Sequence, residues 1–291
     1  MKICIITDDN AGFKESEIKE SNLKLLPMPI IIDGEAFYEN RTITEEEFYD
    51  KLAKGADVRT SQPSPGVITN LWDETLKEFD AIIHIPMSSG LSQECATAKM
   101  LAEDYKGKVF VIDNHRISVT LKESVREALY LASNGKTPEE ITEYLLNSAY
   151  KSTIYIMVDT LKYLKKGGRV SAAGALLGGA LHIKPVLTIL GEKLDAFFKA
   201  IGVKKAKSAM IEAIKKDVQT RFKYTEKENL IYQMAYTKDR EAALEFRKEY
   251  AKSLGIKEEK IELDPLSLSI ATHIGPGSLA VTVSETCRKQ A

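Results

Sequence analysis

Along the first half of the chain, short apolar runs alternate with stretches whose apolar residues recur every three or four positions. That is the signature of strands alternating with amphipathic helices. Residues 2–6 form the first apolar run and lead into the turn Thr7-Asp8-Asp9-Asn10-Ala11-Gly12. Residues 28–32 and 35–38 flank Asp33-Gly34, a strong hairpin signal. Thr44 with Glu47 makes a capping box that opens a helix. Ser64 and Pro65 open the next, on which Val67, Ile68, Leu71, Trp72 and Leu76 share one face. A strand at 81–85, a helix at 92–105, a strand at 109–112 and a helix at 121–133 follow. A second capping box, Thr137 with Glu140, then opens a helix reaching about Tyr150. This alternation predicts a mostly parallel sheet with helices on both faces.

From residue 152 the pattern changes. A strand at 153–158 and a short helix at 161–164 end at Gly167-Gly168, and a hairpin is predicted for 185–190 and 194–199 about Gly191-Glu192. A helix from about residue 206, a strand at 230–235, a helix at 240–254 and strands near 260–263 and 278–283 complete the chain. Hairpins mixed with helices predict an α+β unit. The expected fold class is therefore α/β in two domains, 1–151 and 152–291, which suits a chain of 291 residues.

The hydrophobic fraction of 44% and charged fraction of 29% are those of an ordinary soluble protein with sizeable cores. Lys+Arg 41 against Asp+Glu 42 leaves a net charge of -1, without the basic excess of a nucleic-acid binder. The Lys204, Lys205, Lys207 and Lys215, Lys216 clusters read as solvated helix faces. No apolar run approaches membrane-spanning length, and residues 2–6 are too short for a signal sequence. Cys4, Cys95 and Cys287 are odd in number and far apart, as expected of reduced thiols in a cytoplasmic protein.

Two hydroxyl-rich turns carry the most chemistry. They are Thr60-Ser61-Gln62-Pro63-Ser64-Pro65-Gly66 and Ser88-Ser89-Gly90-Leu91-Ser92, each opening a helix. Helix N-termini present unpaired N–H groups and a partial positive charge, which suits a small anion. In open α/β sheets ligands bind beyond the carboxyl ends of the strands, where the second turn falls. Taken singly, each hydroxyl reads as a cap; there are more hydroxyls than helices to cap, which points to a ligand site. His273-Ile274-Gly275-Pro276-Gly277, expected in a loop before the last strand, is the second candidate, its glycines allowing close backbone approach. The spacing of Gly275, Gly277 and Ala280 mimics a dinucleotide fingerprint, but no βαβ unit follows it. The small-residue stretch 171–180 reads, on composition alone, as tight helix packing. Asp8 and Asp9 are a weak Mg²⁺ candidate without a second acidic cluster.

Taken in order, Thr7-Asp8, Thr60-Ser61-Gln62-Pro63, Ser88 to Ser92, Leu161 to Leu164 with Gly168-Arg169-Val170-Ser171, Ile183-Lys184-Pro185 and His273 to Gly277 resemble the motifs of the DegV family. These are the fatty-acid-binding subunits of bacterial fatty acid kinases, and the resemblance covers essentially the whole chain. It implies a long-chain fatty acid buried in a tunnel between two domains, its carboxylate bound by Thr60 and Ser92. It places Ser61, Ser89, Arg169, His273, Gly275 and Gly277 near the head group or a docked kinase. It also lays Ala172, Ala173, Leu176 and Leu177 along the acyl chain, against the composition-only reading. A separate ATP-dependent kinase subunit would phosphorylate the carboxylate for phospholipid synthesis. This chain would carry no catalytic residue, cofactor or metal of its own, and would bind neither nucleic acid nor membrane stably.

Two positions depart from the family pattern: Asp9 stands where a serine is usual, and Ile201 where an arginine often follows the hairpin. Two other readings stay open: a hydrolase or acyltransferase using Ser92 as nucleophile and His273 as base, and a binder of a small polar ligand on the same rim.

Overall fold

The computed structural model describes residues 1–19, 22–169, 183–191 and 194–288. The fold is mixed α/β. Strands β1 (Ile3–Asp8), β2 (Leu23–Leu26), β3 (Pro29–Ile32), β4 (Glu35–Tyr38), β5 (Val58–Thr60), β6 (Ala81–Ile85) and β7 (Val109–Val111) belong to the first half. They are interspersed with helices α1 (Glu15–Lys19), α2 (Glu45–Ala53), α3 (Pro65–Thr75), α4 (Glu94–Ala102), α5 (Ser118–Ser133) and α6 (Pro138–Asn147). The later elements are β8 (Ser152–Met157), α7 (Lys162–Lys166), β9 (Ile183–Ile189), β10 (Leu194–Ile201), α8 (Val203–Thr220) and β11 (Leu230–Tyr236). After them come α9 (Arg240–Leu254), β12 (Ile261–Pro265), α10 (Leu268–Ile274) and β13 (Leu279–Glu285).

Among the described residues three sheets form. The first, in order β2-β1-β6-β7, is wholly parallel. Every residue of β1 is buried because both faces are covered. Cys4 and Ile6 pack toward Ile68, Trp72 and Ala98 of α3 and α4, while Ile3 and Ile5 join the core built on α5 and α6. The second sheet runs β10-β9-β8-β13-β11-β12 with mixed strand directions. Val281, Val283 and Met234 on one of its faces pack with Met210 of α8 and Phe246 of α9, whereas Ile154, Ile156 and Ala280 turn toward α5.

Both capping boxes form: Glu47 N–H donates to Thr44 Oγ1 at 3.2 Å and Glu140 N–H to Thr137 Oγ1 at 3.3 Å. Asp33 and Gly34 both take positive φ, as the two-residue turn joining β3 and β4 requires. Helix α1 and strands β2 and β5 have no counterpart in the sequence expectation, and α10 differs from it. The β3–β4 hairpin gains β5 and becomes a separate antiparallel sheet. With only three residues, β5 is too short to show a period. His273 lies in the last turn of α10, not in a loop. That helix of seven largely β-branched or hydroxyl residues has little intrinsic propensity. It is held by Ser267 at its N-cap, by Glu39 accepting from Leu268 N–H at 2.8 Å, and by packing of Leu268 and Ala271 against Ile30 and Val58. A C-terminal helix thereby closes the core of an N-terminal sheet.

The two larger sheets meet across α5, whose first eight residues are buried, with Glu127 and Ala128 beyond them, although it carries Lys122, Glu123 and Glu127. Lys122 Nζ donates to Asp264 Oδ2 at 2.8 Å and to the Gly12 carbonyl at 3.3 Å, with Glu17 Oε2 at 3.1 Å. Beside it, Arg126 donates to Glu262 at 2.6 Å and to Glu17 at 2.7 Å. Burial pushes the Glu262 carboxyl up, but Arg126 and Lys122 outweigh it and hold the group at about 2. Helix α5 is thus bolted to β12. Removing one partner of a buried ion pair leaves an uncompensated charge, so Lys122→Met is expected to cost about 3–5 kcal/mol in a urea-melt measurement; a loss under about 1 kcal/mol would show that the pair contributes little.

Candidate functional site

Between the two large sheets, beside α5 and α10, lies a cavity of about 320 Å³. Leu194, Ile189, Ile154, Ala280 and Ala235 all line it, one from each of the adjacent strands β10, β9, β8, β13 and β11. It therefore reaches across four strand spacings, about 19 Å. Met28, Met87, Ile117, Leu164 and Leu266 supply further apolar wall. An elongated apolar space of this kind suits an apolar guest, because apolar surface moved out of water against such walls is stabilised.

The polar lining is joined up by direct contacts. Thr60 ends β5, and its Oγ1 is 2.8 Å from His273 Nε2 at the end of α10. Two residues on, Gln62 Oε1 accepts from Thr97 Oγ1 of α4 at 3.3 Å, which ties the first hydroxyl-rich turn to the helix opened by the second. Ser92 stands just before that helix, and its Oγ accepts from Glu94 N–H at 3.2 Å. His273 in turn abuts Gly167, whose carbonyl accepts from Arg169 Nη1 at 2.6 Å. Arg169 lines both the cavity and a second hollow of about 190 Å³, which it shares with Ser89, Gly90 and Ser92. Thr60, Ser61, Ser92, Arg169 and His273 are thus brought to one rim, and Ser89 lies in the adjoining hollow.

The hydrogen-bond roles matter. Ser92 Oγ receives a backbone N–H, which leaves its own O–H to donate outward. If His273 donates from Nε2, Thr60 Oγ1 is likewise an acceptor with a spare O–H. Burial, with the nearby charge of Arg169 adding to it, pushes the His273 imidazole down to about 4, so the ring is neutral at pH 7. The buried groups beneath the rim follow suit. Burial pushes Glu94 up to about 8 and His84, 3.6 Å away, down to about 4. Burial thus holds Glu94 toward its neutral form beneath the turn. Asp9 is directed elsewhere: its carboxylate accepts from Met28 N–H at 3.1 Å and Arg41 at 3.3 Å, while Asn10 is the residue of that turn that lines the cavity.

Other sequence candidates fall differently. Gly275 and Gly277 do not line the cavity. Gly275, at φ +75°, permits a close approach to Tyr163 of α7: a Cβ there would overlap that ring, and one on Gly167 would overlap His273. The glycines fit α7 against α10 rather than backbone against ligand. Ile201 is exposed at the end of β10. Ala172, Ala173, Leu176 and Leu177 lie outside the described residues. Sequence reasoning missed Ala235, Ala280 and Leu266. The available signal was an alanine near the end of each of two otherwise larger-residue strands, Ala235 next to last in β11 and Ala280 second in β13.

A family model described as "Uncharacterised protein, DegV family" matches residues 2–286. A DegV domain-containing protein of Lactococcus lactis is 33% identical over 288 residues, covering 98% of this chain and 99% of its own. One from Caldanaerobacter subterraneus is 30% identical over 289 residues, covering 98% and 99%. Among solved structures, a DegV family protein from Thermus thermophilus, described by its fatty acid binding, superposes with TM-score 0.89 at 27% identity, covering 98% of this chain and all of its own. A fatty acid binding DegV family protein from Streptococcus agalactiae superposes with TM-score 0.86 at 26% identity, covering 98% and 99%. Sequence, fold and coverage agree, and the chain belongs to the DegV family.

Proposed function

We propose that this protein buries one long-chain fatty acid in the cavity and holds its carboxylate at the polar rim, for a separate ATP-dependent kinase to convert into an acyl-phosphate. The observation that carries the reading is the elongated apolar cavity, spanning five strands, with hydroxyl donors gathered at its rim. Each methylene moved from water into such a space contributes roughly 0.8 kcal/mol. A carboxylate dragged in without partners would cancel much of that gain. The Thr60 and Ser92 hydroxyls answer the need, one for each carboxylate oxygen, without placing a competing charge beside it. Arg169, exposed at the same rim, is available to a phosphoryl group or to a docked partner. The expected division into 1–151 and 152–291 is kept as part of this proposal, and the change from the parallel to the mixed sheet near residue 152 supports it.

The serine-enzyme reading is disfavoured by two features. His273 Nε2 is engaged with Thr60, and an imidazole held near 4 is a weak general base at neutral pH. Among the described residues no helix is long and apolar enough to cross a membrane.

Native mass spectrometry of the purified protein, followed by organic extraction, tests the reading directly. One fatty acid per chain is expected; a protein that stays empty after incubation with fatty acids would overturn it. Thr60→Ala with Ser92→Ala should weaken binding by about 1–2 kcal/mol per hydroxyl, roughly thirty- to a thousandfold in Kd together, and an unchanged Kd would remove the head-group assignment. For His273 the folded value lies below the ordinary 6.5, so the stability it contributes is present above about pH 6.5 and is lost as pH falls through 4. Ring NMR of the ligand-free protein should show His273 titrating near 4, and a bound carboxylate should move that value upward. A midpoint above 6 without ligand would contradict a buried, neutral ring.

A further inference from the structure

The floor of the cavity is uneven. Facing α5, strands β8 and β9 present Ile154, Ile156 and Ile189, whereas β11 and β13 present Ala235 and Ala280. Ala235 and Ala280 are direct partners in the β11–β13 ladder, so two of the smallest side chains stand side by side. On its other flank Ala280 pairs with Ile156, and the step from isoleucine to alanine therefore falls between neighbouring strands. The result is a recess toward β11.

The far side of this recess is fixed. Leu266 walls it, with its N–H donating to the Tyr236 carbonyl at 2.8 Å. Two residues earlier, Asp264 is held by Lys122, so the wall cannot easily draw back. Along the strands the apolar floor ends at Thr282 and its ladder partner Gln233, a buried residue whose Oε1 has no hydrogen-bond partner. An acyl chain gains nothing by running past a polar step.

We propose that the Ala235–Ala280 recess sets the length of acyl chain that the cavity accepts. The inference rests on the fatty-acid reading above and names the residues that choose among fatty acids. Filling the recess excludes the last methylenes of a long chain while leaving the polar rim untouched.

The test is a competition. Purified protein is incubated with equal amounts of tetradecanoic, hexadecanoic and octadecanoic acids, and the bound acids are extracted and quantified. Ala280→Val and Ala235→Val should each lower the ratio of bound octadecanoic to tetradecanoic acid by about tenfold, the effect of withdrawing burial from one or two methylenes. Ala280→Gly, which deepens the recess, should move the ratio the other way. The ratio is internal to each sample, so partial loss of folded protein does not imitate the effect. Should the valine variants fail to fold, Ala280→Gly decides the matter alone. An unchanged ratio in the folded variants overturns the proposal. If the unsubstituted protein takes up none of the three acids, it is the fatty-acid reading that fails, a separate result.

Discussion

The ion pair between Lys122 and Asp264 is the constraint on which the layout depends. It joins α5, which packs against both large sheets, to an edge strand of the second sheet, with both side chains almost wholly buried. A cavity between two sheets tends to collapse, because apolar walls gain by closing on each other. A buried charge resists that tendency: it must keep its partners at hydrogen-bond distance, and those partners sit on separate elements. Glu17, Glu262 and Arg126 extend the same clamp toward solvent. The spacing of the sheets is thus set by polar contacts at the side, which leaves the space between them free of bulky filler.

Charge is managed differently at the rim. There the donors are hydroxyls and the ionisable groups underneath are driven toward their neutral forms, Glu94 up and His84 and His273 down. Arg169, exposed to solvent, is the cationic exception among the rim residues. On the reading proposed above, a site built this way would hold an anion through oriented dipoles and give up little when the anion leaves or changes its bonding. That would suit the proposed holding and releasing of a head group.

Much of this was legible from sequence. The capping boxes at Thr44 and Thr137, the Asp33-Gly34 hairpin and helix α9 were visible because their signals are local and strong. The two hydroxyl-rich turns stood out by composition, and the fold brings them to one rim through the Thr97–Gln62 contact, which no spacing rule foretells. Helix α10 was misread as loop because its formation depends on Ser267, Glu39 and a sheet more than two hundred residues away. The alanines at 235 and 280 were invisible for a related reason. A single small residue in a strand means little until the ladder shows that two of them are neighbours.

The cavity also alters what folding stability means for this chain. A fatty acid bound as proposed would add apolar contacts between the two sheets, and it would do so only in the native state. By mass action such a guest adds RT ln(1 + [L]/Kd) to the unfolding free energy. Resistance to heat, urea and proteolysis then becomes a gauge of guest supply, and a chain starved of its guest is the one most exposed to degradation. Abundance would then follow the availability of the proposed guest, with no dedicated sensor required.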